Sequence, residues 1–141
     1  MDFQDRILLK LDAMEKYVCE LDGMLPSSQK EYIHSLVDKR ACEKTIELAI
    51  EAVIDVCSLI VSHYKLGAPS SEEDILKLLE SKRILTSKTA ARVREMKGFR
   101  NIIVHRYGEV NDIKAYLFLN EELDDFEMFK KEIITFLKKA K

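Results

Sequence analysis

Residues 100 to 107 read RNIIVHRY, and five of these eight side chains can handle a phosphate: Arg100, Asn101, His105, Arg106 and Tyr107. A guanidinium is always charged and forks onto phosphate oxygens, and a histidine moves protons near neutral pH. Together they suit phosphoryl chemistry that needs no metal. On RNA, His105 would help to deprotonate a 2′-hydroxyl, which attacks the adjacent phosphate. Arg100 would stabilise charge on the phosphorane-like transition state. The products would be a 2′,3′-cyclic phosphate and a 5′-hydroxyl. On chemistry alone, a surface or capping role accounts for Arg100 and His105 equally well.

Helix geometry constrains how these residues act together. Each residue advances ~100° around an ideal helix. Asn101 and His105 are four apart and share a face, so the Asn101 amide can fix the imidazole tautomer. Arg100 and His105 are five apart, roughly 140° around the axis. One isolated helix would not aim both at a small target. A two-fold dimer repairs this by bringing both copies of the pair around one cleft. His105 lies in the last turn before Gly108, where the helix dipole favours imidazolium and Arg100 and Arg106 oppose it.

The motif ends a basic stretch. From 82 to 106 eight bases face one acid, Glu95, a local charge of +7, although the whole chain carries −2. From 109 to 127 seven acids face only Lys114. This polarity fits an anion-binding face, and ordinary solvated helix faces fit it as well.

The elements that must position the motif are helical. The chain has 141 residues, 47% hydrophobic and 34% charged, with four Gly and two Pro. Such low breaker content, with Leu, Lys, Glu and Ala enriched, predicts an all-α chain forming one domain over 1–141. Ile7, Leu11, Met14, Val18 and Leu21 make an apolar seam for a helix over 3 to 22, ended by Gly23 and Pro26. Ser28 with Glu31 makes a capping box for a second helix, uninterrupted from about 29 to 64. Its apolar residues cover most faces beyond 45, leaving Glu43, Glu47, Glu51 and Asp55 on one stripe, so it belongs at the centre. A short helix follows over 72 to 82. Thr86 or Ser87 caps the next, which carries Val93, Met96, Phe99, Ile103 and Val104 inward. YLFL at 116 to 119 reads as the end of a short helical turn, and Asn120 as the cap of a last helix with Leu123, Phe126, Phe129, Ile133 and Leu137 inward. The sum is an antiparallel four- to five-helix bundle with one long central helix.

Other chemistries find little support. His34 and His63 are solitary, Cys42 is eight residues from His34, and neither HExxH nor CxxC occurs, so no metal site is expected. Gly-rich phosphate loops and GxSxG elbows are missing, and no cofactor is expected. The run EELDDFE reads as helix-start acids. Tyr17, Tyr32, Tyr64 and Tyr116 read as core or rim aromatics. No apolar run approaches the ~20 residues of a membrane span. The start, MDFQDRILLK, lacks signal-peptide character, and three cysteines without close spacing suit a reducing cytoplasm.

RNIIVHRY also resembles the Arg-x4-His-x-Tyr signature of the HepT-like ribonuclease toxins, in the HEPN superfamily. Arg100, Asn101, His105 and Tyr107 match its specified positions. MKGFRNIIVH is similar to the family's stretch before the motif, and LDDFEMFKKEI to its final helix. The resemblance implies a homodimeric bundle with both motifs in one cleft, and metal-independent RNA cleavage through Arg100 and His105. Asn101, Arg106 and Tyr107 would support or position the RNA. It further implies the toxin of a type VII-like toxin–antitoxin pair, whose partner is an MntA-like nucleotidyltransferase. That partner would transfer AMP to the motif tyrosine, here Tyr107. The rival expectation is a non-catalytic subunit that binds nucleotide or RNA, or docks the nucleotidyltransferase.

Overall fold

The computed structural model describes residues 1–105 and 111–140, with His105 described by its backbone alone. The expectations for Arg106, Tyr107 and Gly108 therefore lie outside the described residues, as does the His105 side chain. Among the described residues the chain is all-α, with seven helical segments and no strand.

The first helix, α1 (Phe3–Met24), is capped by Asp2, whose carboxylate accepts from the Asp5 amide at 2.8 Å. The seam residues Ile7, Leu11, Met14 and Leu21 are buried. The helix runs through Gly23 and stops where Leu25 turns extended, at φ −69° and ψ 123°. Leu25 precedes Pro26, and the proline ring pushes its predecessor out of helical space. The proline, rather than the glycine, sets this end.

The long helix expected from 29 to 64 is divided. A short α2 (Gln29–His34), capped by Ser28, gives way at Ser35 to α3 (Leu36–His63). Ser35 adopts φ −110° and ψ 104°, and its hydroxyl accepts from the Asp38 amide at 3.1 Å. A serine with an acid three residues on offers a new helix start as good as the continuing one. The break lets α2 sink Tyr32 into the core against Tyr116, with ring centres 5.5 Å apart.

At 28 residues α3 is the central element, lined along α1 and touching α4 and α5. Ile46, Ile50, Val53, Val56, Cys57 and Ile60 fill the middle of the core. Burial pushes the Cys57 thiol up to about 12.

Two helices end on left-handed residues. Lys65, at φ 52°, follows α3, and Arg83, at φ 59°, follows α4 (Glu72–Ser81). The amide after each reaches back, Leu66 to the Val61 carbonyl at 3.0 Å and Ile84 to that of Leu79 at 2.9 Å. Glycine is the usual occupant of such a stop. A left-handed L-residue costs roughly 1–2 kcal/mol, whereas an exposed cation at a helix end returns about 0.3–1 kcal/mol. Stability alone does not select arginine at position 83.

The motif helix is α5 (Ser87–His105). Thr86 caps it, accepting from the Thr89 amide at 3.2 Å. Val93, Met96 and Ile103 point inward as expected, but Val104 is 45% exposed, because Ile103 takes the core position at the end of the helix.

Asn120 does not cap the last helix but lies inside α6 (Asp112–Glu121), whose cap is Asn111. The Asn111 side chain accepts from the Lys114 amide at 3.1 Å and starts the helix, which absorbs YLFL and Asn120 whole. Ala115, Tyr116 and Leu119 are its buried face. The last helix, α7 (Asp124–Lys139), has no side-chain cap and instead carries Asp124, Asp125 and Glu127 in its first turn. Its inner residues Phe126, Phe129, Ile133 and Leu137 are buried as the periodicity predicts.

Candidate active site

Arg100 is the best-defined member of the motif. It sits on α5 beneath the surface, 8% exposed, between α3 and α4. One terminal nitrogen donates to Glu51 Oε1 on α3 at 3.1 Å, and the other to Glu72 Oε1 in the first turn of α4. Burial pulls the guanidinium down, but the Glu72 and Glu51 carboxylates outweigh it and hold Arg100 above its ordinary value. The cation is thus anchored and permanently charged, and it joins three helices. Its Nε is buried without a hydrogen-bond partner among the described residues.

The sequence did not single out Glu51 and Glu72. Glu51 was one of a stripe of four acids on a helix, and Glu72 an ordinary helix-start acid. The stripe itself was visible, and each of its members finds a cation: Glu43 meets Arg40, Glu47 meets Lys44, Asp55 meets Lys10 and Glu51 meets Arg100. Glu43 is buried, and a cavity of about 290 Å³ opens beside it, lined also by Arg40, Lys44, Ile103 and Val104. This cavity adjoins the last turn of α5, where the His105 backbone lies. Asn101 is half-buried one residue beyond Arg100.

Three further cations of the basic stretch are paired, while Lys82, Arg83 and Lys88 have no ion-pair partner among the described residues. Arg94 bonds Glu73 at 2.8 Å and Glu80 at 3.2 Å, Lys97 meets Glu73 at 3.5 Å, and Arg92 meets Glu95 at 3.2 Å and Asp125 at 3.9 Å. Acids of α4 and α7 therefore cancel much of the charge that the sequence concentrates between 82 and 106. The expected anion-binding face does not extend along the whole of α5.

Apolar side chains stand in solvent around the motif end. Ile102 and Val104 on α5, Leu36 and Val37 on α3, and Ile113 and Leu117 on α6 are all exposed. Lys39 and Asp112, bonded at 3.1 Å, tie the start of α3 to the start of α6.

Cys42 and Cys57 are buried thiols, Cys19 is exposed, and none is in a disulfide. Among the described residues no group of three or more His, Cys, Asp or Glu is gathered closely enough to hold a metal ion. No helix is long and apolar enough to cross a membrane, among the same residues.

A helical bundle whose core helix carries Arg100 and runs on to His105 defines a class, and comparison with known proteins gives it a name. The chain belongs to the ribonuclease HepT-like family, whose sequence model matches residues 14–133. It is 35% identical over 85 residues to the mRNA nuclease HepT of Shewanella oneidensis, a match covering 60% of this chain and 63% of that relative. It is 23% identical over 128 residues to the tRNA nuclease HepT of Aphanizomenon flos-aquae, covering 91% of this chain and 87% of the relative. In fold it is similar to a solved tri-AMPylated Shewanella oneidensis HEPN toxin in complex with an MNT antitoxin. The TM-score is 0.87 at 24% identity, over 96% of this chain and 99% of that one.

Proposed function

We propose that the chain is a metal-independent endoribonuclease, the toxin of a toxin–antitoxin pair, formed by one HEPN domain over 1–141 and acting on RNA in the cytoplasm. One observation carries this reading. A chain of the HepT-like family holds its motif arginine, Arg100, as an anchored and permanently charged group on the helix that runs on to His105.

In this reading His105 takes the proton of a 2′-hydroxyl, and the resulting oxygen attacks the adjacent phosphorus. The 5′-oxygen leaves with a proton, giving a 2′,3′-cyclic phosphate and a 5′-hydroxyl. Arg100 stabilises the extra negative charge at phosphorus. The half-exposed Glu51 and Glu72 hold its fork extended until a phosphate oxygen takes the place of one carboxylate. Asn101 orients the imidazole, and Arg106 and Tyr107 bind the flanking backbone.

Two copies complete the site. The roughly 140° between Arg100 and His105 spreads the pair around α5. The exposed apolar residues at this end of the molecule suit a self-complementary interface. The partner antitoxin is an MntA-like nucleotidyltransferase that adenylylates Tyr107. The added phosphate would bring negative charge and bulk to the cleft, blocking RNA. The related Shewanella toxin, tri-AMPylated and bound to its MNT antitoxin, supports this part of the reading.

The second reading, a non-catalytic binding or docking subunit, draws on one specific feature: both terminal nitrogens of Arg100 already hold carboxylates. RNA cleavage by wild type and by Arg100→Lys separates the two. A catalytic fork loses at least about a hundredfold in rate when replaced by a point charge, whereas a docking subunit cleaves no RNA in either form.

A further inference from the structure

A second cationic site lies at the opposite end of α5 from the motif. The turn after α4, the start of α5 and the last turns of α7 enclose a cavity of about 260 Å³. Arg83, Lys131 and Lys139 line it, together with Phe136, Thr86 and Glu132. All three cations are exposed, and none has an ion-pair partner among the described residues. That separates them from Arg94, Lys97 and Arg100, each held by acids of neighbouring helices, and from Arg92, held by Glu95 of its own helix and Asp125 of α7.

The acid in the cavity wall forms no ion pair with them among the described residues. Glu132 accepts from the Thr86 amide at 2.8 Å, from the Thr86 hydroxyl at 3.1 Å and from the Thr89 hydroxyl. Its oxygens are committed to the start of α5. The partly buried Phe136 adds an aromatic wall beneath the cations. Arg83 holds its place on a left-handed backbone at φ 59°, where glycine would fit without strain. Helix-end electrostatics accounts for Lys139 in the last turn of α7, but not for Lys131 two turns earlier.

We propose that this corner is an RNA-backbone subsite. Arg83, Lys131 and Lys139 bind phosphates of the substrate strand at a distance from the cleaved bond. The inference rests on the ribonuclease reading above and adds to it a place where substrate length is felt. From Thr86 to Arg100 is roughly 20 Å along α5, so a strand must span several nucleotides to engage both ends. Three cations over an aromatic wall suit sequence-independent binding of a single strand.

The test is fluorescence anisotropy with 2′-O-methyl RNA, which has no free 2′-hydroxyl and is not cleaved. Wild type is compared with Arg83→Gly/Lys131→Ala/Lys139→Ala and with a control lacking three exposed cations elsewhere, Arg6→Ala/Lys16→Ala/Lys30→Ala. Arg83→Gly suits the left-handed backbone, so the variant keeps its fold, which circular dichroism verifies.

For a strand of about twelve nucleotides, the corner variant should bind on the order of tenfold more weakly. Its log–log salt slope should shrink by about 2, since each lost phosphate contact on a single strand removes about 0.7. A trinucleotide should bind all three proteins alike, and the control should match wild type throughout. Unchanged affinity and slope for the long strand would overturn the subsite, as would equal weakening of the trinucleotide. Protection of the corner by free AMP, with no effect of the variant on the long strand, would assign the cavity to a free nucleotide instead and also overturn it. A wild type that cleaves RNA while the variant stays unchanged sinks only the subsite. A wild type that neither binds nor cleaves RNA refutes the ribonuclease reading itself.

Discussion

The two ends of α5 bear the same kind of charge in opposite states. At the C-terminal end Arg100 is buried and held by two carboxylates. At the N-terminal end Arg83, Lys131 and Lys139 stand in solvent around a cavity, without ion-pair partners among the described residues. An anchored cation has little orientation left to lose when it meets a transition state, so it suits chemistry. A mobile, solvated cation suits binding that tolerates many sequences and weakens with salt. The difference teaches that a run of bases in a sequence counts charge but not availability. Availability is set by acids that arrive from other helices.

The largest expected effect breaks the anchored end. Arg100→Ala should lower RNA cleavage by about 10²–10³-fold, the scale of losing one preorganised donor to a developing anion. It should also cost about 1–3 kcal/mol of stability in urea melts, because two carboxylates lose a charged partner. A variant that keeps full activity would place the catalytic charge elsewhere.

Next in size is assembly at the same end. Val104→Glu sets a charge on each copy of the exposed apolar face, and the dimer should dissociate at micromolar concentration. Sedimentation would show a monomer, with cleavage falling in parallel. A stable dimer that keeps full activity would move the interface away from α5.

Tyr107→Phe should do less to catalysis, lowering cleavage by a few-fold at most. A phenol with an ordinary value of ~10 is a poor base at neutral pH. Intact-mass measurement after incubation with a nucleotidyltransferase partner and ATP should show adenylate on wild type and none on the variant. Equal adenylate on both would put the switch on another residue.

The smallest effect belongs to the N-terminal end. Thr86→Ala removes the cap that accepts from the Thr89 amide and one hydroxyl bond to Glu132. It should cost about 1 kcal/mol of stability, and the cleavage rate on a trinucleotide, too short to reach the corner, should stay within about twofold of wild type. A large loss of activity would show that the two ends are mechanically coupled, which the present contrast does not expect.

What the sequence made legible followed local periodicity. The seam of α1, the Ser28 cap and the inner face of α7 are encoded within a few turns each, and all three appear as read. The break at Ser35 was missed because neither Gly nor Pro marks it. A serine cap competing with a continuing helix leaves only a faint signal, Ser35 with Asp38. Asn120 read as the cap of the last helix because YLFL looked like an ending, but both lie within α6, a helix of ten residues capped by Asn111. Arg100 was legible as a residue type in a motif. Its partners Glu51 and Glu72 lie 49 and 28 positions away in the chain, and no local pattern announces them. The same holds for Asp125, Glu73 and Glu80, which meet Arg92, Arg94 and Lys97 from other helices.

The central claim is that the motif cuts RNA by proton transfer at His105 without a metal. The direct measurement is cleavage of a labelled RNA by purified wild type and by His105→Ala, each with and without excess chelator. Wild type should cleave equally in both conditions and leave 2′,3′-cyclic phosphate ends. His105→Ala should fall by about 10²–10⁴-fold, with its helical circular-dichroism signal intact. Cleavage that survives His105→Ala, or that chelator abolishes in wild type, would contradict the claim.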